Sequence, residues 1–328
     1  MSGFQPGYLE LFHSGELKRR VEAVYARLES CDICPRRCRV NRLKGETAFC
    51  RSGLLPIVAS CCVHKGEEPP ISGTRGSGTI FFTNCTMRCV YCQNHQISQP
   101  SREIMPKEVS IETLAEKMLE LQGQGCHNIN FVTPTHFVPQ IVKAVLLAVP
   151  GGLKVPLVYN TSGYESVDVV KLLDGIVDIY LPDLRYTSDT IAQEFSQTPQ
   201  YVMNARAAIK EMYRQVGDLQ LDRDGIAERG LIVRHLILPE RQAGSRESLK
   251  WLAGEVSPSV AVSIMSQYYP ANRAAEIPGL CRKITADEYS EVVDLVNDLG
   301  MENGWLQEME AAETYRPDFF KGEHPFEK

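Results

Sequence analysis

Nine of the eleven cysteines fall within residues 31–92. Three of them form the run Cys85-Thr-Met-Arg-Cys89-Val-Tyr-Cys92, a C-x3-C-x2-C spacing that places three thiolates on one tight loop. Three thiolates can hold three irons of a [4Fe–4S] cube, and no fourth cysteine follows nearby, so one iron is left open to another ligand. Zinc knuckles are normally paired and close a tetrahedron with four ligands, which this loop does not offer. Four more cysteines, Cys31, Cys34, Cys38 and Cys50, precede it in a C-x2-C-x3-C-x11-C pattern. Four thiolates can close either a tetrahedral zinc site or a second [4Fe–4S] cluster, and Cys61 or Cys62 can stand in for Cys50. The first twenty residues have no apolar export segment, which predicts a cytoplasmic protein whose thiols are metal ligands rather than disulfides.

These loops need a scaffold. The chain has 328 residues, 43% of them apolar and 23% charged, with a net charge of −6. That composition excludes a disordered chain and argues against broad nucleic-acid binding. No run approaches the ~18 apolar residues of a membrane span. Short β-branched runs at 79–84, 128–134, 155–160, 176–182, 231–239 and 260–266 have the character of buried parallel strands. Helical periodicity lies between them at 110–122, 137–149, 165–174, 198–216, 245–253 and 285–299. Ser110 is the expected cap of the first. One helix is expected from Ser14 to Leu28, and irregular chain from Cys31 to about Gly78, held by a metal rather than a core. The expected division is 1–78 for the helix and Cys-rich segment, 79–300 for the βα repeat and 301–328 for a C-terminal extension. Periodicity leaves an open doubly wound sheet and a barrel-like curved sheet as equal solutions.

The cysteine loop, with an aromatic residue between its last two cysteines and a strand before it, resembles the signature of radical S-adenosylmethionine (SAM) enzymes. Over about residues 31–300 the chain is similar to pyruvate formate-lyase activating enzymes, in particular a group with an extra N-terminal cysteine cluster. The resemblance implies an α/β fold built as a partial (β/α)6 barrel. It implies a [4Fe–4S] cluster on Cys85, Cys89 and Cys92, with SAM bound at the open iron and cleaved to a 5′-deoxyadenosyl radical.

SAM-side contacts follow from the same resemblance, at the C-terminal strand ends where such folds place their sites. They comprise Tyr91 of the loop and Thr133 and Thr135, which stand where the family has a Gly-Gly-Glu segment. Asn160 and Thr161 stand in an Asn-Thr-Ser-Gly run similar to Asp-Thr-Asn-Gly. Asp183 and Arg185 resemble an Asp-hydrophobic-Lys step. Arg234 and Leu236 lie in an Arg-x-x-x-x-Pro run, with Arg234 facing the interior and Leu236 near the adenine.

The implied activity is hydrogen abstraction from a substrate, with a glycyl residue of a partner enzyme as the first candidate. The alternatives are radical modification of a peptide, small molecule or RNA, and a noncatalytic iron–sulfur or zinc scaffold. An electron donor such as flavodoxin or ferredoxin is the implied partner. Arg36, Arg37, Arg39, Arg42, Lys44 and Arg51 interleave with the upstream cysteines and read as charges offsetting thiolates rather than as an RNA surface. His64, His95, His127 and His136 read as hydrogen-bonded structural histidines. Trp305, Phe319, Phe320 and Phe326 are expected to cover an open edge or the bottom of the barrel.

Overall fold

The computed structural model describes residues 3–99, 108–309, 316–321 and 324–326. Of the C-terminal extension, residues 310–315, 322–323 and 327–328 lie outside the described residues. Among the described residues nine strands form one sheet: β1 (Val58–His64), β2 (Ser77–Phe82), β3 (Ile129–Val132), β4 (Leu157–Thr161), β5 (Ile179–Pro182), β6 (Gln220–Leu221), β7 (Ala227–Leu236), β8 (Ala261–Met265) and β9 (Gly304–Leu306). Their order is β1-β2-β3-β4-β5-β7-β8-β9, with β6 paired to β7. From β2 to β9 the neighbours on this path run parallel. The sheet is curved into a partial barrel that does not close, which resolves the choice periodicity left open.

Each expected strand overlaps an observed one. In β2, β3, β4, β5 and β8 every residue is buried, as strands sandwiched between a filled interior and covering helices must be. The expected helices appear as Ile111–Gly123, Val138–Ala148, Val167–Leu172, Tyr201–Val216, Ser245–Glu255 and Ala286–Asp298. Ser110 caps the first by accepting the Thr113 N–H, and Thr285 with Glu288 forms a reciprocal capping box on the last.

One expectation is extended and one changes. The helix expected over residues 14–28 is Glu16–Ala26, and a further helix, Gly7–His13, precedes it, separated by Gly15, which turns left-handed at φ +75°. The segment read as irregular contains β1, which pairs antiparallel with β2. Its sequence, VASCCVH, buries alternate residues from Ser60 onward, a two-sided pattern that small and cysteine residues conceal.

Arg42 fastens the upstream segment to the barrel. Its guanidinium is fully buried and donates to the Gly53 carbonyl (3.0 and 2.7 Å) and the His136 carbonyl (2.7 Å). At the open side, β9 extends the β8 edge while the tail reaches the opposite edge. Phe319 and Phe326 pack on Phe81 of β2 (5.4 and 6.0 Å between centroids), and Phe326 stacks on His64 of β1 at 4.1 Å. Among the described residues no helix is long and apolar enough to cross a membrane.

Candidate active site

The Cys85–Cys92 loop leaves the C-terminal end of β2 through Asn84, whose φ is +65°. Its backbone is bolted to the last turn of helix Asp189–Ser196: Val90 N–H donates to Phe195 O (2.8 Å) and Arg88 N–H to Ser196 O (2.9 Å). Each sulfur has its own hydrogen-bonding partner. Met87 N–H points at Cys85 Sγ (3.4 Å), the Ser196 hydroxyl at Cys89 Sγ (3.1 Å), and Ser98 Oγ lies 3.1 Å from Cys92 Sγ. Donors aimed at sulfur stabilise thiolate and tune a cluster's potential. Burial pushes the bare Cys85 thiol up to about 11 and Cys92 to about 12, so loading a metal here must release protons.

The loop forms one wall of a cavity of about 570 Å³. Tyr91, Thr133, Asn160, Thr161, Asp183, Arg185, Arg234 and Leu236 all line it, so the strand ends bring nearly every expected contact together. Parallel register explains part of this. Asp183 pairs with Arg234, Arg234 with Ser263 and Ser263 with Trp305, so four adjacent strand positions present one row to the interior. Arg234 Nε donates to Asp183 Oδ1 (2.9 Å) and Nη2 to Asn160 Oδ1 (2.6 Å), while Arg185 holds the other Asp183 oxygen. Tyr91 bonds Tyr186 through their hydroxyls, and Tyr186 bonds Ser196 (2.6 Å), continuing the chain to Cys89. Leu236 and Met265 add an apolar wall.

Thr133 sits left-handed at φ +59°, a strained state for a β-branched residue, with its N–H on Asn160 O (2.9 Å). Thr135 does not line the cavity. Its hydroxyl donates to Glu165 Oε1 (2.5 Å), and the same carboxyl takes the Thr161 and Tyr159 hydroxyls. Burial is the largest influence on Glu165, whose pKa rises to about 7.

Carboxylates enter instead from Glu67 and Glu68, which sequence reasoning passed over as part of a loop. Glu67 accepts from Asn130 Nδ2 (3.0 Å) and Asn160 Nδ2 (3.4 Å) and lies 3.6 Å from Arg234 Nη1. Burial raises the pKa of both acids. Glu68 Oε2 and Arg185 Nε are buried without a hydrogen-bond partner among the described residues. Three thiolates with their own partners, a roomy cavity and unanswered polar atoms in its lining fit a cluster with a zwitterionic ligand beside it.

Upstream, Cys31, Cys34, Cys38 and Cys50 converge around a cavity of about 10 Å³ together with Arg36, Arg42 and Ser52. Cys61 and Cys62 lie on β1, and Cys62 packs with Phe81 and Ile97, so Cys50 is the fourth thiol of this group. Burial raises the Cys34 and Cys38 thiols. Among the described residues no three His, Cys, Asp or Glu side chains gather as ligands of a single ion. The thiolates of an iron–sulfur cube each take a different iron and therefore stand apart. Of the basic residues, Arg36 and Arg42 are engaged internally, while Arg37, Arg39, Lys44 and Arg51 face solvent. His136 is buried, with Nε2 on Thr83 O (2.8 Å), and its pKa falls to about 3, chiefly through burial.

An uncharacterised protein of Methanocaldococcus jannaschii is 28% identical over 305 residues, spanning 90% of this chain and 82% of its own length. Among solved structures, the chain is similar to HydG, a maturase of the [FeFe]-hydrogenase (TM-score 0.48, 12% identity, 72% of this chain), and spans about half of that protein, 53%. It is also similar to methylornithine synthase (TM-score 0.44, 15% identity, 67% of this chain and 62% of that one). The family model of the radical SAM superfamily matches residues 79–218, from β2 and its cysteine loop through β5 to the helix before β6. Over residues 79–218 the chain is therefore similar to the radical SAM superfamily.

Proposed function

We propose that the chain holds its [4Fe–4S] cluster on Cys85, Cys89 and Cys92 and binds SAM across the ends of β4, β5 and β7. The observation that carries this is the pairing of three individually hydrogen-bonded thiols with a polar strand-end row inside one cavity. When bound, the cluster and SAM supply reductive cleavage of a carbon–sulfur bond and a 5′-deoxyadenosyl radical that abstracts hydrogen.

The protein's part is position and exclusion of water. Cys85, Cys89 and Cys92 would hold the cluster through three thiolates and so leave a ligand position that SAM could complete. Asn160, Asp183, Arg185 and Arg234, already interlocked, fix the polar groups of SAM. Thr133 offers backbone groups at a strained strand end, Leu236 packs the adenine, and Tyr91 braces the loop from beneath. Thr161 contributes through Glu165, and Thr135 acts in the same support rather than as a contact.

Cys31, Cys34, Cys38 and Cys50 hold a second [4Fe–4S] cluster, favoured over zinc because their C-x3-C step is unlike a zinc knuckle. A flavodoxin- or ferredoxin-type protein delivers the electron. The hydrogen donor is a group admitted to the cavity, with a glycyl residue of a partner enzyme the first candidate on sequence resemblance.

The test is 5′-deoxyadenosine formation by anaerobically reconstituted protein with SAM and dithionite, beside Cys85→Ala. Product from the wild type alone supports the reading. No product from either at full iron loading, with no SAM-induced change in the electron paramagnetic resonance (EPR) of the cluster, overturns it in favour of a scaffold.

A further inference from the structure

The two cysteine groups meet at one aromatic ring. Each contains a C-x3-C step with an arginine inside it: Arg36 between Cys34 and Cys38, and Arg88 between Cys85 and Cys89. Both guanidiniums lie over Phe49, the residue before Cys50, with Cζ at 3.3 Å (Arg36) and 4.3 Å (Arg88) from the ring centroid. Each arginine also reaches into the other's territory. Arg36 Nε donates to Thr86 O inside the radical SAM motif (2.6 Å), and Arg88 Nη2 donates to Phe49 O in the upstream segment. Arg88 Nη1 meanwhile spans Cys85 O and Met87 O, both at 2.7 Å. Arg36 Nη2 bonds Gln197 O, beside the Ser196 whose hydroxyl points at Cys89.

We propose that Arg36, Phe49 and Arg88 form a coupling clamp through which the state of the upstream cysteine site sets the reduction potential of the cluster on Cys85, Cys89 and Cys92. The proposal rests on the reading that those three cysteines hold a [4Fe–4S] cluster. Its physical basis is shared charge. Arg36 lies within electrostatic reach of Cys34, Cys38 and Cys85, and Arg88 of Cys85 and Cys50. Negative charge upstream engages both guanidiniums, and stacking on one ring keeps them at fixed separation. When the upstream site is emptied, its negative charge no longer offsets the two guanidiniums, and the net field at the radical SAM cluster becomes more positive. That field favours the reduced, more negative state and raises the potential. These three are positioning residues: they touch the cysteine loops and not the reacting atoms.

The experiment is an EPR-monitored redox titration of full-length, reconstituted protein in a double-mutant cycle. One arm empties the upstream site with Cys34→Ser and Cys38→Ser, with metal content confirming the loss. The other removes the ring with Phe49→Leu, with Phe49→Tyr as the conservative control and Arg36→Lys as an independent break of the stack. Emptying the upstream site is expected to raise the potential of the SAM-responsive cluster in wild type and Phe49→Tyr. The shift is expected to fall by half or more in Phe49→Leu and Arg36→Lys. Equal shifts in all four backgrounds, or no shift in any, overturn the coupling. A wild-type protein with no SAM-responsive cluster signal overturns the underlying reading as well.

Discussion

The two cysteine groups are positioned by different means. The Cys85–Cys92 loop follows β2, in which all six residues are buried, and inherits its place from the parallel ladder to β3. The Cys31–Cys50 segment has for regular structure only the short turn Arg42–Lys44, and its place depends on the bonds of buried Arg42 and on Arg36 over Phe49. A sheet delivers a loop to a fixed point with or without a ligand. An irregular segment is ordered by whatever its side chains grasp, and a metal held by its thiols would add to that order.

That contrast is breakable, and the largest test is chemical. Cys89→Ala should reduce SAM cleavage by about a thousandfold or more while the thermal midpoint of the apo protein moves by no more than about 2 °C, because the sheet rather than the cysteine places the loop. A collapse of the apo fold would show that the loop holds the barrel and not the reverse. Arg42→Ala probes the other region. It strands two buried carbonyls and opens a cavity, and should cost about 3 kcal/mol in denaturant unfolding, with cleavage by limited proteolysis concentrated in residues 31–56. Proteolysis spread evenly along the chain would erase the proposed difference.

The barrel side carries its own pH signature. Glu165 has a folded pKa of about 7 against an ordinary value of 4.5, and Asp178 about 7 against 3.8, burial being the main cause in both. The folded chain therefore holds these protons more tightly than the unfolded chain. The stability this contributes is complete below about pH 4 and is lost as pH rises through 7. Apo protein should be less stable at pH 8 than at pH 5 by about 2 kcal/mol or more, and Glu165→Gln should remove roughly half of the slope. An unchanged slope in that variant would locate the effect outside the barrel. The smallest effect separates contact from support: Asn160→Ala should weaken SAM binding about tenfold, Thr135→Val less than about threefold, read by calorimetry on reconstituted protein. Equal losses would place Thr135 among the contacts.

Much of this layout could be read from residue order. Strand runs such as NINFVTP are apolar because both faces are covered, and the cysteine spacing announces a three-thiolate loop without any fold. What stayed hidden depends on neighbours distant in sequence. Glu67 and Glu68 look like a solvated pair until Asn130, Asn160 and Arg234 are brought around them. Ser98 and Ser196 are ordinary serines until the fold aims them at Cys92 and Cys89. Thr135 sits in a polar strand-end run with Thr133, yet the 3-10 turn Thr135–Phe137 directs it to Glu165. Periodicity also could not show β1, whose strand pattern is carried by Ser60, Cys62 and His64.

The sheet ends at β1 on one side and β9 on the other, and the rings of Phe319 and Phe326 cover the β1–β2 edge through His64 and Phe81. A barrel stitched all the way round resists any change of girth, since widening it means giving up hydrogen bonds along a whole strand. Here one line of the circumference is upholstered rather than stitched. Aromatic faces can slide by a fraction of an ångström at small cost while every backbone ladder stays intact. The padded edge is also tied to the cysteine loop, since Phe319 N–H donates to Gln96 Oε1 (2.8 Å) two residues before the Ser98 that partners Cys92, so a shift of the tail is passed first to that end of the loop.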